Sequence, residues 1–593
     1  MSLDFRTLGA CYRSGELTVT ALVAAVEARI AAAGDDHVWI ARTPHDALLA
    51  RANALDALDL AARSRLPLYG IPFAVKDNID AAGFDTTAGC PAFAYRPIED
   101  APAVARLLAA GAVLIGKTNL DQFATGLVGV RSPYGVARNP FDARFIPGGS
   151  SSGSAVAVAS ALVGFALGTD TAGSGRVPAS FNNLVGLKPT KGLIPLRGVV
   201  PACASQDCIS IFALTVDDAE AVLAVAGGFD PVDAFSRRGS QGDAIGDVFR
   251  FGVPRRPEFF GDRENEKLYR VTVAALKELG GTPVEFDDAP FLETAKLLYE
   301  GPWVAERMAA LERIFRTDPE AILPVTRGII ANADKFSAVD AFKAQYRLGE
   351  LRRATEPLWR DIDAMVLPTA PTIYTVEQVN ADPVALNSRL GHYTNFVNLL
   401  DLAALAVPAG FRPDGLPFGI TLIGPAWHDA ALASLGQRFT HALDLPLGAT
   451  NHRLPPERKH AETSGAVVVA VFGAHLSGMP LNRQLTDSGA RLIAASSTAP
   501  KYRLYEIAGP MARPGLVRVA NGDGRSIETE LWSLSRPALG ELVAATEVPL
   551  CIGNVELSDG TWVKGFLCEA EAVASARDIS EFGGWRRFLA ANG

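Results

Sequence analysis

The sequence predicts an α/β protein: a mixed central sheet covered by helices, followed by a smaller β-rich domain. Three observations predict it. Short apolar runs alternate with helical periodicity over residues 1–447. A Gly/Ser loop, Pro147–Ser154, runs straight into AVAVASALVGFALG (Ala155–Gly168), a stretch apolar enough to require burial on nearly every side. After a polar, proline-bearing linker at 448–465, the pattern over 466–593 changes to closely spaced short strands.

Taken in order, residues 1–60 read as helical, with Leu22, Val23, Val26, Ile30 and Ala33 at three- and four-residue spacing and Thr18 as a cap. Leu68–Val75 is a buried strand that ends in the polar Lys76-Asp77-Asn78. Ala103–Ala110 reads as a helix and Ala112–Ile115 as the strand after it. Further core strands lie near Leu367 and Ile420. The linker carries Asn451, His452, Pro455, Pro456 and the charged run ERKH. The second domain opens with AVVVAVFGAHL and continues with LVRVA. A hairpin then pairs CIGNVEL with WVKGFLCEA across Ser558-Asp559-Gly560, and a helical EFGGWRRFLAA closes the chain.

Bulk properties narrow the function by exclusion. A net charge of −9 over 593 residues disfavours non-specific binding to nucleic acid or to an anionic membrane, while leaving room for one basic pocket. No run approaches the ~18 apolar residues of a membrane span, and the N-terminus lacks the apolar core of a signal peptide. The expected location is the cytoplasm. The six cysteines form no CxxC pair and have no matching Cys/His partners, so free buried thiols in a reducing compartment are expected, with no metal site and no cofactor.

Three segments carry chemistry. Lys76 closes an uncharged strand, where desolvation lowers an amine's pKa and makes a neutral base available; the competing reading is a paired structural cation. The Gly/Ser loop around Ser150 opens a helix and presents hydroxyls and amides; alone it is equally a turn or an anion site, and it lacks the Lys of a phosphate-binding loop. In GTDTAGSGRVP, small residues flank Ser174, and successive amides over Asp170–Gly173 suit an oxyanion hole. Gly149–Gly153 also satisfies G-x-S-x-G around Ser151, but Phe145-Ile146-Pro147 is a poor strand for a nucleophile elbow, and only His392, His428 and His441 follow within the first domain.

Together these segments resemble the amidase signature family, through Gly148–Ala179 and AVKDN (Ala74–Asn78), with support from Val113–Gly126 and Asn182–Pro195. The resemblance implies Ser174 as nucleophile, Ser150 (held by a cis peptide in the family) as the bridge, and Lys76 as general base. It places the oxyanion hole at Thr171, Ala172 and Gly173.

Two features narrow the substrate. YEGPWVAER (Tyr299–Arg307), taken with ATGLVGVRSPYG and the extra C-terminal domain, is similar to the allophanate hydrolase branch. That resemblance implies a small anionic amide, allophanate, held by Tyr299, Arg307 and Gly126. It also implies a homodimer and a functional link to urea carboxylase. The C-terminal domain resembles the gamma-glutamylcyclotransferase-like fold, which implies a small barrel-like domain, with Phe472 where that fold carries tyrosine. His475 is placed like a site residue, with Glu547 as an acid, in a domain that aids either decarboxylation of the first product or assembly. The alternatives are another small-molecule amidase acting on biuret or a malonamide-like amide, the amidase component of a tRNA-dependent amidotransferase, and a non-catalytic assembly protein.

Overall fold

The computed structural model describes residues 1–454 and 467–592, apart from 243, 510, 511, 521 and 535. It divides into two units, Met1–Glu457 and Arg458–Gly593.

The first unit is built on an eleven-stranded mixed sheet. Its strands are β1 (Trp39–Arg42), β2 (Pro72–Lys76), β3 (Val113–Thr118), β4 (Phe165–Asp170), β5 (Val185–Lys188), β6 (Cys208–Ala213), β7 (Phe249–Pro254), β8 (Gly281–Phe286), β9 (Ala364–Pro368), β10 (Leu402–Phe411) and β11 (Pro417–Pro425). Their order is β1-β3-β2-β4-β6-β5-β10-β11-β9-β7-β8. β2 lies between β3 and β4, parallel to both. All three are buried along their whole length, as expected of parallel strands covered on both faces. The chain leaves β2 and β4 on the same side, so Lys76 and the turn after Asp170 end as neighbours.

Between β3 and β4 runs the helix Ser152–Ala159, with all eight residues buried. Its Ala/Val composition follows from that position, since a polar face would have no water to meet. The helix Val19–Ala33 buries Leu22, Val23, Val26 and Ile30 and is capped by the Thr18 hydroxyl, which accepts from the Ala21 amide.

Two expectations needed revision. Residues 1–60 are not wholly helical, because β1 interrupts them, pairing antiparallel with β3; a four-residue edge strand is too short to leave a periodic signal. The stretch 448–454 of the expected linker packs on the first unit. Ala449 N–H donates to the Ala159 carbonyl at 2.9 Å, and Asn183 Nδ2 donates to the Gly448 carbonyl at 2.9 Å. The remainder of that linker, 455–465, lies outside the described residues.

The second unit is β-rich. Its strands are β12 (Val467–Val471), β13 (Arg491–Ser497), β14 (Tyr502–Ile507), β15 (Arg513–Arg518), β16 (Glu528–Leu534), β17 (Leu550–Glu556), β18 (Trp562–Cys568) and β19 (Arg577–Asp578). They form a five-stranded sheet, β13-β16-β12-β18-β17, and a three-stranded one, β15-β14-β19. The larger sheet curls until its two edges meet: Thr498, just past β13, bridges Leu557, just past β17. This closure gives the barrel-like character. β17 and β18 form the expected hairpin. No helix among the described residues is long and apolar enough to cross a membrane.

Candidate active site

Lys76 is fully buried at the end of β2. Its Nζ donates to Ser150 Oγ at 2.8 Å and to Thr169 Oγ1 at 2.7 Å. It forms no ion pair among the described residues. Burial pushes its pKa down from 10.5 to about 7, against the pull of the more distant carboxylates of Asp121, Asp207 and Asp170. The strand delivers a lysine whose only close partners among the described residues are hydroxyls.

Ser150 follows a cis Gly149–Ser150 peptide. Its carbonyl accepts the Asp121 amide at 2.9 Å. The Asp121 carboxylate in turn takes the amides of Gly129 at 2.9 Å and Arg131 at 2.8 Å. Gly149 cannot be another residue, because a Cβ there would stand 2.1 Å from Asp121 Oδ2. The loop is thus clamped by backbone contacts, which fixes the Ser150 hydroxyl over Lys76.

Ser174 is 2% exposed, and its Oγ donates to the Gly126 carbonyl at 3.4 Å. No hydrogen bond joins it to Ser150. The expected relay from Lys76 through Ser150 to Ser174 is therefore closed on the lysine side and open on the nucleophile side. The turn carrying Ser174 is held by a buried bidentate pair, Arg176 Nε and Nη2 to Asp170 Oδ2 and Oδ1, each at 2.9 Å. Asp170 also takes the amides of Gly173 and Gly175, both at 3.0 Å. Of the three expected oxyanion donors, Gly173 is thus already engaged. The amides of Thr171, Ala172 and Ser174 make no hydrogen bond among the described residues, and Ser174 itself stands as a donor that sequence reasoning did not include. Gly173 sits at φ +128° with Thr394 Oγ1 only 2.4 Å from where a Cβ would be.

Arg307 and Tyr299 come from consecutive helices, Trp303–Thr317 and Ala289–Glu300. Arg307 is 1% exposed. Its Nη1 donates to Thr125 Oγ1 and its Nη2 to Tyr299 Oη, both at 3.2 Å, while Nε has no partner. It forms no ion pair among the described residues. The nearby acids are taken: Glu306 by the Ser205 amide and hydroxyl, Asp207 by the Thr171 hydroxyl and the amides of Ala202 and Cys203. Burial alone lowers the Arg307 pKa, and the groups around it (Tyr299, Cys203, Asp207, Glu306) more than reverse this. A guanidinium this deep normally has a carboxylate beside it. The adjacent Gly126, whose carbonyl holds Ser174, connects this end of the site to the hydroxyls.

Ser151, the centre of the G-x-S-x-G match, is buried against β4, where its hydroxyl donates to the Thr169 carbonyl at 3.2 Å. It links the loop to the strand. Sequence reasoning passed over Thr169, Thr125, Asp207 and the Asp170–Arg176 pair. The last lies inside the glycine-rich stretch Gly148–Ala179, whereas Asp207 carried no local signal.

In the second unit, His475, Gln484, Arg513, Thr546, Glu547 and Phe566 line a cavity of about 330 Å³. His475 Nε2 lies 2.9 Å from Gln484 Oε1, and the ring stacks on Phe566 with centroids 4.8 Å apart. Burial lowers its pKa, with Gln484 opposing. Arg513 and Glu547 approach to 3.8 Å.

The fold is that of an amidase, a class of hydrolase acting on amide C–N bonds. The family model for amidases matches residues 21–433, and the chain belongs to that family. A second family model, the allophanate hydrolase C-terminal domain, matches residues 467–590. The chain is 45% identical to a urea amidolyase of Lachancea kluyveri over 89% of its own length and 30% of that protein. It spans about the same share, 31%, of the Saccharomyces cerevisiae urea amidolyase. The Kluyveromyces lactis allophanate hydrolase structure is 43% identical and superposes with a TM-score of 0.84, covering 100% of this chain and 99% of that one. A glutamyl-tRNA(Gln) amidotransferase component of Chloroflexus aggregans is 34% identical, over 74% of this chain and 97% of that one.

Proposed function

We propose that the first unit hydrolyses allophanate through Ser174, Ser150 and Lys76. The observation that carries the choice of substrate is Arg307, a buried cation with neutral partners and an unspent Nε–H. A substrate carboxylate supplies the missing charge, and a planar guanidinium suits it. Similarity to the allophanate hydrolase structure over the whole chain supports the same reading.

In this mechanism Ser174 rotates from the Gly126 carbonyl toward Ser150. Neutral Lys76 takes the Ser150 proton as Ser150 takes that of Ser174. Ser174 Oγ bonds to the terminal amide carbon, and the charge developing on oxygen meets the free amides of Thr171, Ala172 and Ser174. The C–N bond breaks, and the proton returns along the relay to the departing ammonia. Water then enters by the same base catalysis, releasing a dicarboxylated nitrogen and restoring Ser174.

That product must lose carbon dioxide. His475 and Arg513 lining one cavity support a role for the second unit in decarboxylation rather than assembly. Its partner in supply is a urea-carboxylating activity, since allophanate is carboxylated urea. The family resemblance supports a cytoplasmic homodimer, which light scattering of the purified chain tests.

The deciding test is a substrate panel without ATP or partner chains. Allophanate should release both nitrogens as ammonia. Ammonia from biuret alone, or none without a partner, would transfer the assignment to one of the rival amidases. His475→Ala should release the first ammonia at the normal rate and the second slowly; equal rates would leave the second unit outside the chemistry.

A further inference from the structure

We propose that Thr125 is the residue that sets the site's preference for an anionic amide, by aiming Arg307; the proposal rests on the carboxylate reading of Arg307 above. Thr125 is 1% exposed, and every polar atom it has is committed. Its hydroxyl proton goes to the Phe123 carbonyl at 3.2 Å, so the oxygen presents only lone pairs toward Arg307 Nη1 at 3.2 Å. Its amide donates to the Gln122 carbonyl at 3.1 Å. Its carbonyl accepts Arg131 Nη1 at 2.9 Å. The side chain is a fixed acceptor, not a rotor.

That fixed acceptor matters because Arg307 has few others. Tyr299 holds Nη2, and nothing holds Nε. With one hydroxyl on each terminal nitrogen, the guanidinium plane is defined by Thr125 and Tyr299 together. Removing the first leaves it free to pivot about the second. The next residue, Gly126, receives the Ser174 hydroxyl, and a Cβ there would meet Asp121 Oδ2 at 2.7 Å. One short dipeptide therefore sets both the direction of the cation and the resting position of the nucleophile. The distance from substrate carboxylate to reacting carbon is fixed between them.

Biuret tests this, because it differs from allophanate by a carboxamide in place of the carboxylate. In Thr125→Val, nearly the same shape without the acceptor, the ratio of kcat/KM for allophanate over biuret should fall about 10- to 100-fold, the range of a hydrogen bond to a charged group. Most of the loss should appear in KM for allophanate, and Thr125→Ser should restore the ratio. An unchanged ratio in Thr125→Val, or a ratio that Ser fails to restore, would overturn the proposal. A wild-type enzyme with no preference for the anion would overturn the reading of Arg307 itself, a separate failure visible before any variant is made.

Discussion

Two lysines on adjacent parallel strands, Lys76 on β2 and Lys117 on β3, are both fully buried, and their polar partners differ. Lys117 Nζ lies 3.2 Å from Asp77 Oδ1 and 3.2 Å from Thr86 Oγ1. Lys76 has two hydroxyls and no close carboxylate. Burial lowers both pKa values; for Lys117 the Asp77 charge opposes it directly, while for Lys76 the opposing charges are farther off. On the mechanism proposed above, depth alone does not make a base. A carboxylate at contact distance opposes loss of the proton directly, whereas hydroxyls leave the effect of burial less opposed.

The comparison breaks most visibly in activity. Lys76→Ala should lower kcat by about 10²–10⁴-fold, the span usual for a general base. Adding Ser174→Ala should cost far less than the product of the single losses, since groups acting as one unit are not additive. Steady-state kinetics of the wild type, the two single variants and the double checks both. Lys117→Met should act on stability instead. Breaking a buried pair and leaving Asp77 uncompensated costs about 3–5 kcal/mol, measurable by urea unfolding, while kcat per folded molecule stays within a few-fold. Arg307→Lys should raise KM for allophanate by about 10- to 100-fold with the fold intact, because a point charge cannot replace the fork. Unchanged kinetics would remove Arg307 from the site.

The smallest effect concerns pH and stability. The folded Lys76 pKa lies near 7 and the unfolded one near 10.5. Between these values the unfolded chain binds more protons, so folding is favoured as pH rises through the window. Below about 7 the buried ammonium exerts its full destabilising effect. Lys76→Met should therefore raise Tm more at pH 6 than at pH 9, as thermal unfolding at the two pH values would read.

Much of this was legible in the residues. Lys76, Ser150 and Ser174 lie in contiguous motifs whose composition reflects their own packing: glycine where Asp121 presses close, alanine and valine in a helix without a wet face. Arg307 and Tyr299 were named only through the resemblance to the allophanate hydrolase branch, since eight residues apart they otherwise read as solvated positions of a helix. The Arg307 acceptor Thr125, 182 residues away in the chain, was not legible, because nothing local in Phe-Ala-Thr-Gly reports what lies across the fold. The engagement of the Gly173 amide depends on the side-chain geometry of Asp170, which sequence does not encode locally. The first turn of the supposed linker was misread for a similar reason: its polar composition resembles a tether, yet its backbone is tied to Ala159 and Asn183.

The central claim, an uncharged Lys76 serving as base, is tested most directly by the pH dependence of kcat/KM for allophanate between pH 6 and 9. The rate should rise tenfold per pH unit below an apparent pKa of about 7 and level off above it, and that limb should vanish in Lys76→Ala. A rate still rising at pH 9, or the same limb persisting without Lys76, would contradict it.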